Sequence, residues 1–259
     1  MELFYNQYGD SGPPLIILHG LLGANGNWHT LSRTAFRKVA RVYALDQRNH
    51  GRSPHADRID YPTLTEDLRT FIDRHNVAPA TLLGHSMGGK TAMQTALSFP
   101  DRVERLIVVD MAPRAYPPEH KSLLEALARI DPPAYESRDA IDEELAEHVP
   151  SWRIRQFLLK NLDYDGETYT WKMNLGALRT HYDDLTAAIP GPGTFDGPTL
   201  FIRGGESDYV TDDDVDEIRE RFPTADLVTI DGAGHWVHAD APEAFAEAVI
   251  DFVTETEPA

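Results

Sequence analysis

Six short apolar runs, Leu15 to Leu18, Val39 to Leu45, Thr81 to Leu83, Leu106 to Val109, Thr199 to Ile202 and Leu227 to Ile230, alternate with helix-like stretches. Apolar runs of strand length suit strands buried on both faces, and helices between them give parallel crossovers. The expected fold class is therefore α/β, a mostly parallel sheet flanked by helices. The helix-like stretches are Trp28 to Lys38, Leu64 to His75, Lys90 to Ser98, Asp213 to Arg221 and Glu243 to Val253, several ending in Pro, Gly or Asn. Between Ala112 and about Ile189 the strand rhythm stops and a Pro-punctuated, helix-rich stretch intervenes. The reading is one core made of residues 1–111 and 190–259, with a helical cap insertion at 112–189. Within the cap, helices are expected over Pro118 to Arg129, Arg138 to His148 and Trp152 to Lys160, and a short extended piece within Tyr169 to Leu175.

Gly84-His85-Ser86-Met87-Gly88 sits between a strand run and a helix-like stretch and reads G-x-S-x-G, the pattern of a nucleophile elbow. A sharp turn that holds a serine hydroxyl outward packs backbone on backbone, so it needs small residues two positions either side. The same segment, Gly84 to Thr91, also fits the phosphate-cradling G-x-x-x-x-G-K-[ST], with Leu106 to Asp110 resembling the strand that follows it in nucleotide-binding domains. Three segments favour the serine. Leu15 to Gly23 is a strand running into His-Gly-Leu-Leu-Gly, where the backbone N–H groups of Leu21 and Met87 are placed to hold an oxyanion. Gly232 to His238 carries a glycine-flanked histidine, His235, as general base, with His238 as its competitor. Finally, two strand runs precede the serine turn, whereas the phosphate loop usually follows the first strand.

The pair needs a carboxylate to orient the imidazole. Asp110, at the end of a strand on the same rim as Ser86, and Asp208, in the loop after Thr199 to Ile202, are the two candidates, and Asp110 is preferred by its position. Ser207 is expected to assist by hydrogen bond. The chain order serine, acid, histidine matches the α/β-hydrolase fold with a helical cap. Trp152, Phe157, Leu158 and Trp171 are candidates for lining an acyl pocket, or simply for holding the cap together. His19, His50 and His85 read as turn and backbone supports, and Asp46, Arg48, Asn49, His50 and Arg52 as a polar cluster beneath the site.

These segments together resemble the YbfF-type esterases of bacteria and the related mitochondrial α/β-hydrolase-domain proteins of animals. The resemblance rests on His19 to Gly23, Asp46-Gln47-Arg48-Asn49-His50-Gly51-Arg52-Ser53, Gly84 to Lys90, Asp110-Met111-Ala112-Pro113, Gly204 to Val210 and Gly234 to Ala239. It implies a carboxylesterase for short or medium acyl chains, on esters or thioesters, with Ser86, Asp110, Ser207 and His235 at its site. Relatives often carry an acid four residues before a Pro or Thr in the later loop; here Ser207 stands there, and Asp208 beside it departs from the pattern. Carbon-carbon bond hydrolysis or perhydrolysis on the same triad, and a non-catalytic ligand-binding role, are the alternatives.

Composition narrows the classes further. The 259 residues contain no cysteine, so a nucleophile must be a hydroxyl, carboxylate or amine. Forty-two acidic against 24 basic residues give a net charge of −18, which opposes binding to nucleic acid or an anionic membrane. Acidic clusters such as Asp212-Asp213-Asp214 suit a high-salt cytoplasm. With no signal-like start and no membrane-length apolar run, the expected location is cytoplasmic. His235, His238 and Asp240 lack the spacing of a metal site, so neither metal nor cofactor is expected. The expected partner is a small acyl ester or thioester.

Overall fold

A computed structural model describes residues 1–255 of the chain. Strands β1 (Tyr5–Tyr8), β2 (Pro14–Leu18), β3 (Arg41–Leu45), β4 (Ala80–His85) and β5 (Val103–Val109) form in the first half. A small hairpin, β6 (Leu162–Tyr164) and β7 (Tyr169–Trp171), precedes β8 (Thr199–Gly204) and β9 (Ala225–Ile230). The helices are α1 (His29–Thr34), α2 (Tyr61–His75), α3 (Met87–Ser98), α4 (Lys121–Arg129), α5 (Arg138–Ala146) and α6 (Trp152–Leu158). They continue with α7 (Leu175–Thr180), α8 (Tyr182–Thr186), α9 (Val215–Arg221), α10 (Val237–Asp240) and α11 (Pro242–Thr254).

The seven-stranded sheet has the order β1-β3-β2-β4-β5-β8-β9, antiparallel at the β1 edge and parallel elsewhere. Alternate residues of each strand point to opposite faces. Ile16 and Leu18 of β2 join Leu82, Leu68, Phe71 and Met93 on the face covered by α2 and α3. Leu15 and Ile17 join Leu83, Ile107, Trp28, Phe36, Phe245 and Val249 on the face covered by α1 and α11. Both sets are buried, as continuous apolar runs require. The chain runs from β2 outward to β3 and then back across to β4, so the sheet order reverses between β2 and β4. In an open parallel sheet such a reversal leaves a crevice at the carboxyl ends of those strands.

Residues between β5 and β8 form α4 to α8 and the β6–β7 hairpin. Leu124, Leu127, Ile141, Leu145 and Leu158 of this insertion pack together with Leu22, Tyr61, Leu64 and Met87 of the core. The insertion therefore sits on the first turns of α2 and α3, over the crevice.

Three local features differ from the sequence expectation. Strand β1 carries no apolar run; Tyr5-Asn6-Gln7-Tyr8 forms a strand because the free edge of β3 offers it partners. The expected helix Trp28 to Lys38 is broken into two short helical turns around α1, with Ala35 at φ −115° and ψ −69°, which lets both Trp28 and Phe36 reach the core. Helices α7 and α8, each too short to show a periodicity, were not expected. Among the described residues, no helix is long and apolar enough to cross a membrane.

Candidate active site

The turn from β4 into α3 explains its own glycines. A Cβ on Gly84 would lie 2.1 Å from the Gly88 carbonyl oxygen, and one on Gly88 would lie 2.5 Å from that of Leu18. Between them Ser86 adopts φ 53° and ψ −119°, a left-handed conformation that costs a non-glycine residue about 1–3 kcal/mol. The surrounding contacts hold it there: the Ser86 N–H donates to the Val109 carbonyl at 3.1 Å. Met87 is the first residue of α3, where a helix amide has no partner within its own helix. The loop after β2 passes close over the serine, since a Cβ on Gly20 would lie 3.2 Å from Ser86 Cβ. Leu22 turns this loop with φ 59°, its N–H donating to His50 Nε2 at 3.2 Å while His50 Nδ1–H donates to the Arg48 carbonyl at 2.9 Å. Burial pushes the His50 imidazole down to about 3, which keeps Nε2 an acceptor.

Asp110 directly follows β5, fully buried and with φ 49°. One of its oxygens accepts from the Gly204 N–H at 3.1 Å; the other accepts from His235 Nδ1–H at 2.8 Å and from the Ser207 hydroxyl. The loops after β8 and β9 are pressed together around this carboxylate. A Cβ on Gly204 would lie 2.4 Å from the carbonyl oxygens of both Ala233 and Gly234, and Glu206 N–H donates to Ala233 at 2.9 Å. Asp208 is exposed and makes no hydrogen bond or ion pair among the described residues. Neighbouring positions on this loop point opposite ways, so Ser207 faces in and Asp208 faces out.

Of the other histidines, His85 Nε2–H donates to the His235 carbonyl at 2.9 Å, and burial holds its imidazole well below the ordinary range. His238 stacks on Trp28, ring centroids 4.3 Å apart, and is tied to neither Ser86 nor Asp110 by a hydrogen bond. His19 Nε2 accepts from the Gln47 N–H at 3.0 Å. Asp46 accepts from the backbone of Asn25 and Arg52, at 2.6 and 2.9 Å, and Arg48 pairs with Asp67 at 2.6 Å, so this polar cluster does tie loops together.

Lys90, the lysine of the phosphate-loop pattern, is wholly buried, with its amine turned onto backbone carbonyls. Its Nζ donates to the carbonyls of Arg114 at 2.7 Å, Ala187 at 2.5 Å and Thr186 at 3.4 Å, with the Tyr116 ring 4.8 Å away. Burial, with Arg114 nearby, pushes its ammonium down to about 7.

Ser86 opens onto two cavities. One, of about 110 Å³, is shared with His235, Leu21, Trp28, Phe157 and Trp236; the other, of about 50 Å³, with Met87, Lys90, Tyr116, His120 and Tyr182. Of the four expected pocket residues only Phe157 lines either. Trp152 is 66 % exposed and Leu158 packs inside the insertion, because a helix turns successive side chains about 100° apart and only one face can look down; Trp171, on β7, packs against the same apolar cluster. No hydrogen bond joins the Ser86 hydroxyl to His235 among the described residues, but both face the larger cavity, and such contacts commonly tighten when substrate binds. Two neighbours escaped the sequence reading: Tyr209, stacked on His235 with centroids 3.8 Å apart, and His120 of the insertion, bonded to the Tyr209 hydroxyl at 3.0 Å. Neither carried an expected role, although Tyr209 lies within the Gly204 to Val210 segment. No group of three or more histidine or acidic side chains among the described residues is arranged to hold a metal ion.

Comparison with known proteins adds to this geometry. Residues 15–248 match the model of the alpha/beta hydrolase family. The sn-1-specific diacylglycerol lipase ABHD11 of Danio rerio is 39 % identical over 262 residues, covering 98 % of this chain and 83 % of that protein. Esterase YbfF of Escherichia coli is 33 % identical over 251 residues, covering 96 % of both chains. The solved structure of a marine microorganism esterase superposes with a TM-score of 0.94 at 42 % identity, over 97 % of this chain and 99 % of that one. With the sheet order, the tight serine turn and a match over nearly the whole length, the chain belongs to the alpha/beta hydrolase family and is a hydrolase.

Proposed function

We propose that the chain is a serine carboxylesterase that hydrolyses short- to medium-chain acyl esters or thioesters through a covalent acyl-Ser86 intermediate. The observation that carries this reading is the buried Asp110 carboxylate, bonded to His235 and Ser207 at once, with His235 facing the cavity onto which Ser86 opens. In the proposed cycle, His235 Nε2 removes the Ser86 proton as Oγ attacks the acyl carbon. The amides of Leu21 and Met87 receive the oxyanion, and His235 returns the proton to the leaving oxygen or sulfur. Water, activated by the same imidazole, then releases the acid. Asp110 orients the imidazole and stabilises its cation, and Ser207 holds Asp110 in place.

The two cavities divide the substrate. A leaving group must lie beside the imidazole that protonates it, and His235 lines only the cavity of about 110 Å³. The acyl chain is then assigned to the cavity of about 50 Å³, closed by Tyr182 and Lys90, which favours shorter chains. Residues 112–189 act as the cap over both. The relatives named esterase or lipase support ester cleavage as the reaction.

Fluorophosphonate labelling followed by p-nitrophenyl ester profiling tests the reading. Labelling at Ser86, lost in Ser86→Ala, with acetate through octanoate cleaved faster than palmitate, is the expected outcome. Folded protein that resists the label at Ser86 would overturn it.

A further inference from the structure

We propose that Tyr209 is a positioning residue for the His235 imidazole, stacking on its ring and favouring its cation, an inference that rests on His235 serving as the general base. The two rings lie 3.8 Å apart at 21°, close to parallel, whereas His85 meets the same imidazole at 4.7 Å and 43°. An aromatic face attracts a cation, by about 0.5–2 kcal/mol according to solvent exposure, and the imidazole becomes a cation only while it holds the serine proton. The stack therefore strengthens as the transition state forms and contributes to rate rather than to binding.

Tyr209 is fixed on every side. Its N–H donates to Ser207 Oγ at 3.3 Å, its carbonyl accepts from the Tyr116 hydroxyl at 2.6 Å, and its hydroxyl meets His120 Nε2 at 3.0 Å. Its ring also stacks on Tyr116 at 5.3 Å and 26°. Ser207 in turn donates to Asp110, so a single loop supplies both the group that braces the carboxylate and the ring that braces the imidazole. His120 reaches in from the insertion, and thus ties that layer to the same ring. The titratable and charged groups around His235 are Asp110, His85 and Tyr209 in contact, His238 and His120 nearby, and Arg153, which lies over Trp236 and pairs with Asp240. Among the described residues, only Tyr209 stacks on the imidazole near-parallel.

Tyr209→Leu and Tyr209→Phe, assayed with p-nitrophenyl acetate, separate a ring that acts from one that merely fills space. In Tyr209→Leu, kcat is expected to fall about tenfold with KM changed no more than about twofold. The acid limb of kcat/KM against pH should move to lower pH. Tyr209→Phe, which keeps the ring and loses only the His120 bond, should recover kcat to within about threefold of the parent and restore the limb. A Leu variant with parental kcat and limb, or a Phe variant as impaired as the Leu variant, would overturn the proposal. Tyr209→Met carries the same comparison should the Leu variant not fold. A second readout needs no turnover: the pH midpoint at which the His235 ring signals titrate by NMR, assigned with His235→Gln. It should drop in Tyr209→Leu and return in Tyr209→Phe, and an unmoved midpoint would overturn the stack. Failure of the parent protein to take the fluorophosphonate label would instead strike the esterase reading, with the titration still deciding on Tyr209.

Discussion

Two aspartates competed for one role, and the difference between them is a matter of direction. Asp110, the residue that follows β5, points inward and meets His235 at 2.8 Å, while Asp208 is exposed to solvent. If the proposed cycle is right, Asp110→Asn lowers kcat about 10,000-fold, because the amide favours the wrong imidazole tautomer. Asp208→Asn, measured beside it on the same ester, should leave kcat within about twofold. A loss in both, or in Asp208→Asn alone, would reassign the acid. Ser86 and His235 could be read from the chain because their surroundings are chemically demanding: a strained turn needs glycines, and a histidine loop that presses on Gly204 needs small residues. For the acid, strand-end position favoured Asp110 over Asp208, and the packing of two loops is what turns Asp110 toward His235. Tyr209 and His120 gave no such signal, since their contact spans 89 positions and carries no spacing signature.

At the level of elements, the strand runs and the helices α2, α3 and α11 were legible because burial on both faces of a parallel sheet leaves no latitude in their pattern. Within the insertion, α4, α5, α6 and the extended piece at β7 were legible, while α7, α8 and β6 were not. Its short helices are held by contacts with the core, and Lys90 shows how. The lysine's amine satisfies carbonyls from the beginning and the end of the insertion, Arg114 on one side and Thr186 and Ala187 on the other. Lys90→Met keeps the volume and leaves those buried acceptors unpaired, at a cost of about 2–4 kcal/mol for the set. Urea unfolding should show that loss, and limited proteolysis should cut first within the insertion. Parental stability in Lys90→Met would mean that packing alone seats it.

For the molecule as a whole, buried imidazoles, His50 and His85 among them, set a lower pH limit. Burial holds His50 at about 3 and His85 well below its ordinary value, so above about 6.5 both are neutral whether folded or not and contribute no pH dependence. As pH falls below that value the unfolded chain takes up protons that the folded chain refuses, and stability declines toward the folded values. The slope is about 1.4 kcal/mol per pH unit for each group. In His50→Gln, whose amide oxygen can still accept from Leu22, the stability lost between pH 7 and pH 5 should shrink by roughly 2 kcal/mol. An unchanged loss would contradict the assignment. The net charge of −18 acts through a different route: carboxylates repel one another at low ionic strength, and about 1 M KCl should raise the melting temperature. Equal melting temperatures in dilute buffer and in salt would exclude it.

The ends of the insertion also meet each other: Ile189 N–H donates to the Pro113 carbonyl at 3.0 Å, and Tyr116 N–H to that of Thr186 at 2.9 Å. The two ends of the insertion thus lie side by side, and the chain then runs on to rejoin the sheet at Thr199, beside Leu106. Exchanging the insertion for that of a relative therefore asks for two neighbouring splices and leaves the strand register alone.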